Sequence, residues 1–337
     1  MLSIQVRNVH EALPEGMHQI KERGVRRTSR NGPVMVLPFP FTTMYQHPKE
    51  RVLFWPQRDA NPFFHFFEAL WMLAGQNDVE TVAYFAKNMA NYSDDGVTLH
   101  GAYGHRWRMH FGTDQLTTIA NALKADRNCR RQVLQMWDCR VDLGRQGKDV
   151  PCNTQAYFQV SVHGGLDMMV SNRSNDLVWG AYGANAVHFS FLQEMMAAWI
   201  GVPVGAYWQV SMNTHLYLEP HEELMEALAM KAPNPPGLGP SSPYQAEEVH
   251  PFPLVSLGSV NRWQRELKAF LEYGPESDYD DPFFGGVAKP LLKAHAVYKT
   301  KSWGSAKELM RDCIATDWSR ACYEWLDRRE LAWKAKN

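Results

Sequence analysis

The residue with the clearest capacity for covalent chemistry is Cys152, in the run Val150-Pro151-Cys152-Asn153 at the mouth of a strand-like segment. Pro151 fixes the approach, so the thiol stands at the end of an element, a position that suits a nucleophile. A lone cysteine can equally be a small buried hydrophobe, and its neighbours have to decide between the two. Downstream, the polar pentad Asn172-Arg173-Ser174-Asn175-Asp176 is wedged between an apolar strand at Leu166 and an apolar helix at Ala186. Polar groups packed there need partners from the protein or from a ligand. The Arg173 guanidinium matches the oxygens of a phosphate, and its charge is expected to lower the pKa of a nearby thiol. Glu68 lies on an almost wholly apolar helix, where a carboxylate must be paired or hold its proton tightly, which suits proton transfer. His215 and Tyr217, two apart on a strand-like segment, point to one face.

These residues need a scaffold, and the pattern supplies one. Asn61 to Gly75 reads as a buried helix, with Pro62 in its first turn and Gly75 as its stop. Ala186 to Ile200 is a second apolar helix, stopped by Gly201 to Pro203. Strands are expected at Arg131 to Trp137, Thr154 to Val162, Leu166 to Val170 and Gly205 to Met212, with a hairpin turn at Gly164-Gly165. The Pro- and Gly-rich stretch 232–243 reads as a surface loop. Together these describe an α+β domain over about residues 1–273, followed by a polar helical segment, 274–337, packed on it.

Composition narrows the function further. Lys plus Arg total 35 against 36 for Asp plus Glu, so no broad basic field invites nucleic acid. No apolar run is long enough for a membrane span, and the polar N-terminus does not fit a signal peptide, so a cytoplasmic protein is expected. The five cysteines are an odd number, widely spread and expected to stay reduced. No Cys-x-x-Cys or helical His-x-x-x-His occurs, so no metal site is expected. A zinc pyrimidine deaminase lacks its ligands here, and the glycine-rich turns of dinucleotide enzymes and NTPases are missing as well.

Taken in order, the motifs resemble the thymidylate synthase family. Arg26-Arg27-Thr28 is similar to its early phosphate-loop arginine, Glu68-Ala69-Leu70-Trp71 to its Glu-Leu-Leu-Trp helix, and Tyr103-Gly104-His105-Arg106-Trp107 to its Tyr-Gly-x-x-Trp turn. Arg130-Arg131 resembles the arginines that the family lends across its dimer interface. Pro151-Cys152, Arg173-Ser174-Asn175-Asp176, Gly180, Asn185 and Asn213-Thr214-His215-Leu216-Tyr217 match the remaining motifs; Asn185 fits if the stretch from Trp179 to Ala184 holds one extra residue.

The resemblance implies a mixed β-sheet covered by helices, with the sheet forming a homodimer interface. It implies one-carbon transfer from 5,10-methylenetetrahydrofolate to C5 of a deoxypyrimidine 5′-monophosphate, with Cys152 adding to C6. Arg27, Arg173 and Ser174, with Arg130 and Arg131 of the second subunit, would hold the phosphate. Asn185 would read the base, and His215 and Tyr217 the sugar. Glu68, Tyr103 and Asn153 would complete the catalytic group. Asp176, Trp179 and Gly180 would meet the folate, although Trp179 could equally fill the core.

Synthases reduce the transferred carbon to a methyl group, whereas hydroxymethylases add water to it. Here the basic, polar ending differs from the short apolar lid of the synthases, Asn153 stands where they carry His, and Met89 and Tyr92 occupy the region of their folate-side tryptophans. These departures favour hydroxymethylation, as in a virus that modifies its DNA bases. Asn185 favours dUMP over dCMP, because phage deoxycytidylate hydroxymethylases resemble the same scaffold with Asp at that place. The alternatives are a dCMP or CMP hydroxymethylase, a synthase that methylates dUMP, and a catalytically silent nucleotide-binding homologue that has no need of the Cys152 thiol.

Overall fold

The computed structural model describes residues 1–232, 242–255 and 259–336. Its elements are β1 (Leu2–Val6), α1 (Val9–Arg23), β2 (Val25–Ser29), β3 (Gly32–Val36), β4 (Phe41–Tyr45), α2 (Pro62–Ala74), α3 (Val79–Phe85), α4 (Tyr103–His105), α5 (Gln115–Ala125), β5 (Val133–Gln135), β6 (Asn153–Val160), β7 (Leu166–Asn172), β8 (Asn175–Asp176), α6 (Asn185–Ile200), β9 (Val204–Ser211), β10 (Thr214–Tyr217), α7 (Leu218–Ala229), α8 (Val260–Tyr273), α9 (Lys289–Lys299), α10 (Trp303–Leu309) and α11 (Thr316–Lys334). One sheet has six strands in the order β1-β4-β9-β7-β6-β5, the other four in the order β2-β3-β10-β8. In the larger sheet β1 runs parallel to β4 and β7 parallel to β9, while its other pairs are antiparallel. This is the mixed α+β arrangement expected from the sequence.

Local chemistry sets the two central helices. Asn61 caps α2 by accepting the Phe64 N–H, and Gly75 ends it in the left-handed conformation, where a side chain would be strained. Gly201 ends α6 in the same way. The β6–β7 hairpin closes at Gly164, also left-handed, and pairs Val160 with Leu166. The expected strand at Arg131 to Trp137 is shorter, spanning Val133–Gln135. The amides of Met136 and Trp137 both turn to the single carbonyl of Thr154, which ends the ladder. The strands β1 to β4 and the helix α1 were not anticipated. The loop expected at 232–243 lies, but for its ends, outside the described residues.

Strand register does the positioning. Asn153 on β6 stands opposite Asn172 on β7, which stands opposite Ser211 on β9. Asn175 on β8 pairs alongside Thr214 on β10, and His215 alongside Asp176. Polar residues distant in sequence thereby form one patch at the end of the larger sheet.

Helix α2 is buried along nearly its whole length and apolar apart from His65 and Glu68. Its residues Phe63, Phe66 and Phe67 pack against Trp325, Trp318, Phe283 and Phe270 of the C-terminal helices. Arg328 and Arg329 of α11 bond to Asp59, in the loop leading to α2. No helix among the described residues is long and apolar enough to cross a membrane.

Candidate active site

Glu68, Trp71 and Met72 of α2 form one wall of an open cleft of about 310 Å³. Tyr103, Asp149, Cys152, Ser174, Asn175, Asp176, Trp179, Gly180 and Asn185 line the rest, with Met89 and Tyr92 at one side. The described residues that line it all precede Ala186, so the C-terminal helices lie behind α2 rather than over the opening.

Cys152 is half-buried at the start of β6. The main-chain amides of Cys152 and Asn153 both donate to the Tyr103 hydroxyl, at 3.0 and 3.1 Å. With both lone pairs used, the Tyr103 proton is left to donate into the cleft. Burial raises the Tyr103 pKa, so the phenol stays neutral. Arg173 holds the cysteine loop: its guanidinium donates to the carbonyls of Pro151 (2.7 Å) and Val150 (2.9 Å), and its amide donates to the Cys152 carbonyl.

The sequence led us to expect an electropositive setting that lowers the thiol pKa. The structure corrects the sign: burial pushes Cys152 up, the Arg173 charge is the largest influence opposing it, and Asp149 and Asp176 add to the rise. Arg30 also lowers it, a residue that the sequence reading missed beside Arg26 and Arg27. It sits in the β2–β3 turn, where Ser29 accepts the Asn31 amide and donates to the Gly32 carbonyl. The Asn31 side chain reaches the Tyr217 hydroxyl at 3.4 Å, so this turn lies over the face carrying His215 and Tyr217.

Arg27 itself is exposed on β2 and does not line the cleft. Arg130 and Arg131 are likewise exposed, and Arg130 borders a groove of about 1060 Å³ on the open face of the larger sheet, with Tyr157, Met169 and Trp208. Among the described residues none of these three arginines has an acidic partner.

His215 and Tyr217 share a face as expected, their rings edge to face at 5.2 Å. Burial lowers the His215 pKa against the pull of Asp176. Glu68 Oε2 lies 3.0 Å from Nε2 of the buried His188, a residue that the sequence reading missed, but neither atom has a hydrogen-bond partner among the described residues. Asp176 accepts the amides of Val178 and Trp179 through one oxygen, while its other oxygen is buried without a hydrogen-bond partner among the described residues. Burial raises its pKa. Trp179 is 47% exposed on the cleft rim, which excludes a place in the core. At Gly180 a Cβ would come within 2.6 Å of Asn175 Oδ1, so the backbone there passes too close to a polar group for any side chain.

The stretch Leu177–Ala184 is wound with π-type bonds but kinks at Tyr182 and Gly183, whose backbone is not helical, and the Asn185 amide donates to the carbonyl of Gly180, five residues back. A π-turn holds one residue more than an α-turn, so the backbone here has room for the extra residue counted before Asn185. Its side chain then accepts from Asn153 Nδ2 at 3.1 Å and donates to Asn175 Oδ1 at 3.0 Å.

Residues 13–251 match the family described as Thymidylate synthase. A deoxyuridylate hydroxymethyltransferase of Pseudomonas phage M6 is 53% identical over all of this chain and 97% of its own length. Similarly named proteins of Bacillus phage SP01 and Delftia phage PhiW-14 are 39% and 27% identical, over 53% and 79% of this chain and 50% and 76% of their own lengths. The chain belongs to the thymidylate synthase family. The family match ends at residue 251, ahead of α8 to α11, so these helices lie beyond the part that the family pattern describes. Within it lie all the thymidylate synthase motifs that line the cleft, from Glu68 to Asn185.

Proposed function

We propose that this chain is a deoxyuridylate hydroxymethyltransferase, which attaches a one-carbon unit from methylenetetrahydrofolate to C5 of dUMP and completes it with water. The single observation that carries this reading is the full-length similarity to the phage M6 protein of that name. The cleft supports it residue by residue.

The partnerless oxygen of Asp176 is a buried acceptor in search of an N–H donor, such as a pterin ring offers. Trp179 on the rim gives that ring a flat apolar neighbour, and Gly180 lets it approach the backbone. Bound there, the folate would supply carbon at the oxidation level of formaldehyde. The Cys152 thiolate adds to C6 of the uracil, which moves an electron pair onto C5 and O4 and makes C5 nucleophilic. Tyr103, neutral and with its proton free, donates a hydrogen bond into the site; both its lone pairs are engaged, so the C5 proton leaves to water rather than to the phenol. C5 would bond to the carbon that the folate supplies and give up its proton, with tetrahydrofolate as the leaving group. Glu68 then takes a proton from the water whose oxygen bonds to the resulting exocyclic methylene carbon, and the electron pair returned to the ring expels the Cys152 thiolate from C6. The cleft is open for that water, with Tyr92 and Trp179 on its rim 45% and 47% exposed.

Arg173 with Ser174, joined by Arg27 and Arg30 from the hairpin above, would hold the phosphate. Arg130 and Arg131 would reach the site of a second subunit across the open sheet face, where the half-exposed Met169 and Val133 stand ready for burial. His215 and Tyr217 would hold the sugar and Asn185 the base, with Asn153 steadying it. On this reading residues 1–273 form the catalytic part and 274–337 a helical extension that buttresses α2.

Mass spectrometry of products from dUMP, dCMP and CMP offered separately tests the assignment. The 5-hydroxymethyl product from dUMP, without dihydrofolate, is expected. A 5-methyl product with dihydrofolate, or turnover of a cytosine nucleotide alone, would overturn it.

A further inference from the structure

A side-chain amide can sit in two orientations related by a half-turn, and these present opposite patterns of donor and acceptor. Uracil offers N3–H as donor and O4 as acceptor; cytosine offers N3 as acceptor and its amine as donor. A half-turn of Asn185 would therefore exchange one base for the other without any change of residue. What holds Asn185 in one sense decides the choice.

Asn185 belongs to a closed ring. Asn172 donates to Asn153; Asn153 donates to Asn185 at 3.1 Å; Asn185 donates to Asn175 at 3.0 Å; Asn175 donates to Ser211 at 3.1 Å; and Ser211 donates back to Asn172 at 3.2 Å. Every donor points the same way round. The ring is buried, each member 7% exposed or less. Yet it has a twin: turning the four amides and swinging the serine proton makes the same bonds in the opposite sense, with Asn185 inverted. Closure alone cannot choose between the two.

Gln209 breaks the tie from outside the ring. Its Oε1 accepts from Asn175 Nδ2 at 3.1 Å, and its Nε2 donates to the main-chain carbonyl of Ala181 at 2.9 Å. A carbonyl can only accept. Reversing the ring would set Asn175 Oδ1 against Gln209 Oε1; turning Gln209 as well would set Oε1 against the Ala181 oxygen. Either way two buried acceptors face each other, an arrangement that native interiors avoid. The Tyr45 hydroxyl accepts from Gln209 Nε2 at 3.0 Å and donates to the same Ala181 carbonyl at 3.3 Å, which agrees with this sense of Gln209.

We infer that Gln209, anchored on the Ala181 carbonyl, is the positioning residue that sets base choice, by locking the Asn185 amide in the sense that reads uracil. It is 2% exposed and does not line the cleft, so it acts only through Asn175. The inference rests on the reading of Asn185 as the residue that meets the base.

The test is the ratio of kcat/KM for dUMP to that for dCMP, measured on the full chain. Gln209→Met, similar in shape but without polar groups, frees the ring and is expected to lower the ratio about 10-fold or more. Ser211→Ala opens the ring but leaves the line from Ala181 through Gln209 and Asn175 to Asn185 intact; it is expected to cost activity and keep the ratio within about two-fold. Gln209→Glu covers a Met variant that does not fold. At about pH 6 a buried carboxyl stays protonated, donates to Ala181 and keeps the ratio; at about pH 9 it ionises and the ratio falls relative to wild type. An unchanged ratio in Gln209→Met, an equal fall in Ser211→Ala, or a pH-independent ratio in Gln209→Glu would overturn the inference. Asn185→Ala separates this from the underlying reading: if it keeps the preference for dUMP, Asn185 does not meet the base and both fail, whereas lost preference with an unmoved Gln209→Met ratio sinks the inference alone.

Discussion

The two sides of α2 obey different rules. Toward the C-terminal helices, Phe63, Phe66 and Phe67 meet Trp325, Trp318, Phe283 and Phe270 ring against ring. Toward the cleft, the same helix presents Glu68, whose carboxylate is buried against His188 in a contact that does not make a hydrogen bond. One side satisfies itself, while the other keeps polar groups in reserve for a ligand, as does Asp176 across the cleft. Stability and chemistry are thus separated by the thickness of one helix, and substitutions can be chosen to touch one without the other.

The sharpest separation comes from Cys152→Ala. Removing the nucleophile is expected to reduce turnover of dUMP by about 10⁴-fold or more while leaving the thermal midpoint near that of the parent. Appreciable residual turnover by product mass spectrometry would mean that another group attacks C6. The opposite pattern is expected for Phe66→Ala, which empties a fully buried ring site between Phe283, Phe191 and Trp318. Denaturant unfolding should show a loss of about 3–5 kcal/mol, with activity per folded molecule retained.

Arg173→Ala tests whether one residue can belong to both regimes, because it braces the cysteine loop and its charge acts on the Cys152 thiol. A fall of about 10²-fold in kcat/KM is expected, mostly through KM for the nucleotide. Iodoacetamide alkylation of Cys152 adds a second readout. Burial already raises the thiol pKa and Arg173 is the largest charge opposing that rise, so the alkylation midpoint should lie above the ordinary thiol range in the parent and higher still in the variant. A downward shift would contradict the electrostatic picture. The smallest effect belongs to Arg328→Ala: its bond to Asp59 is partly exposed, and about 0.5 kcal/mol or less is expected in the same unfolding experiment.

Much of this arrangement was legible from residues alone, but unevenly. The helices α2 and α6 announced themselves through capping residues and continuous apolar runs, and the β6–β7 hairpin through paired glycines, because those signals are local. Glu68, Tyr103, Cys152, Ser174, Asp176, Trp179, Gly180 and Asn185 do meet in one cleft, whereas Arg27, Arg130 and Arg131 do not line it. The ring of amides was illegible, since Asn153, Asn172, Ser211 and Asn175 become neighbours only through strand register, a property of pairing between segments distant in sequence. His188 was hidden for a similar reason: its partner lies on another helix. The sign of the Cys152 shift was misjudged because a sequence displays charges but not burial, and here burial outweighs Arg173. The extra residue before Asn185 showed as a counting discrepancy, and only the π-turn gave it a physical form.

The central claim is that water completes the one-carbon unit on a nucleotide held through Cys152. Turnover of dUMP with methylenetetrahydrofolate in oxygen-18 water tests it most directly. The account predicts 5-hydroxymethyl-dUMP carrying the heavy oxygen, with no rise in dihydrofolate absorbance and no product from Cys152→Ala. Unlabelled 5-methyl product accompanied by stoichiometric dihydrofolate would contradict it.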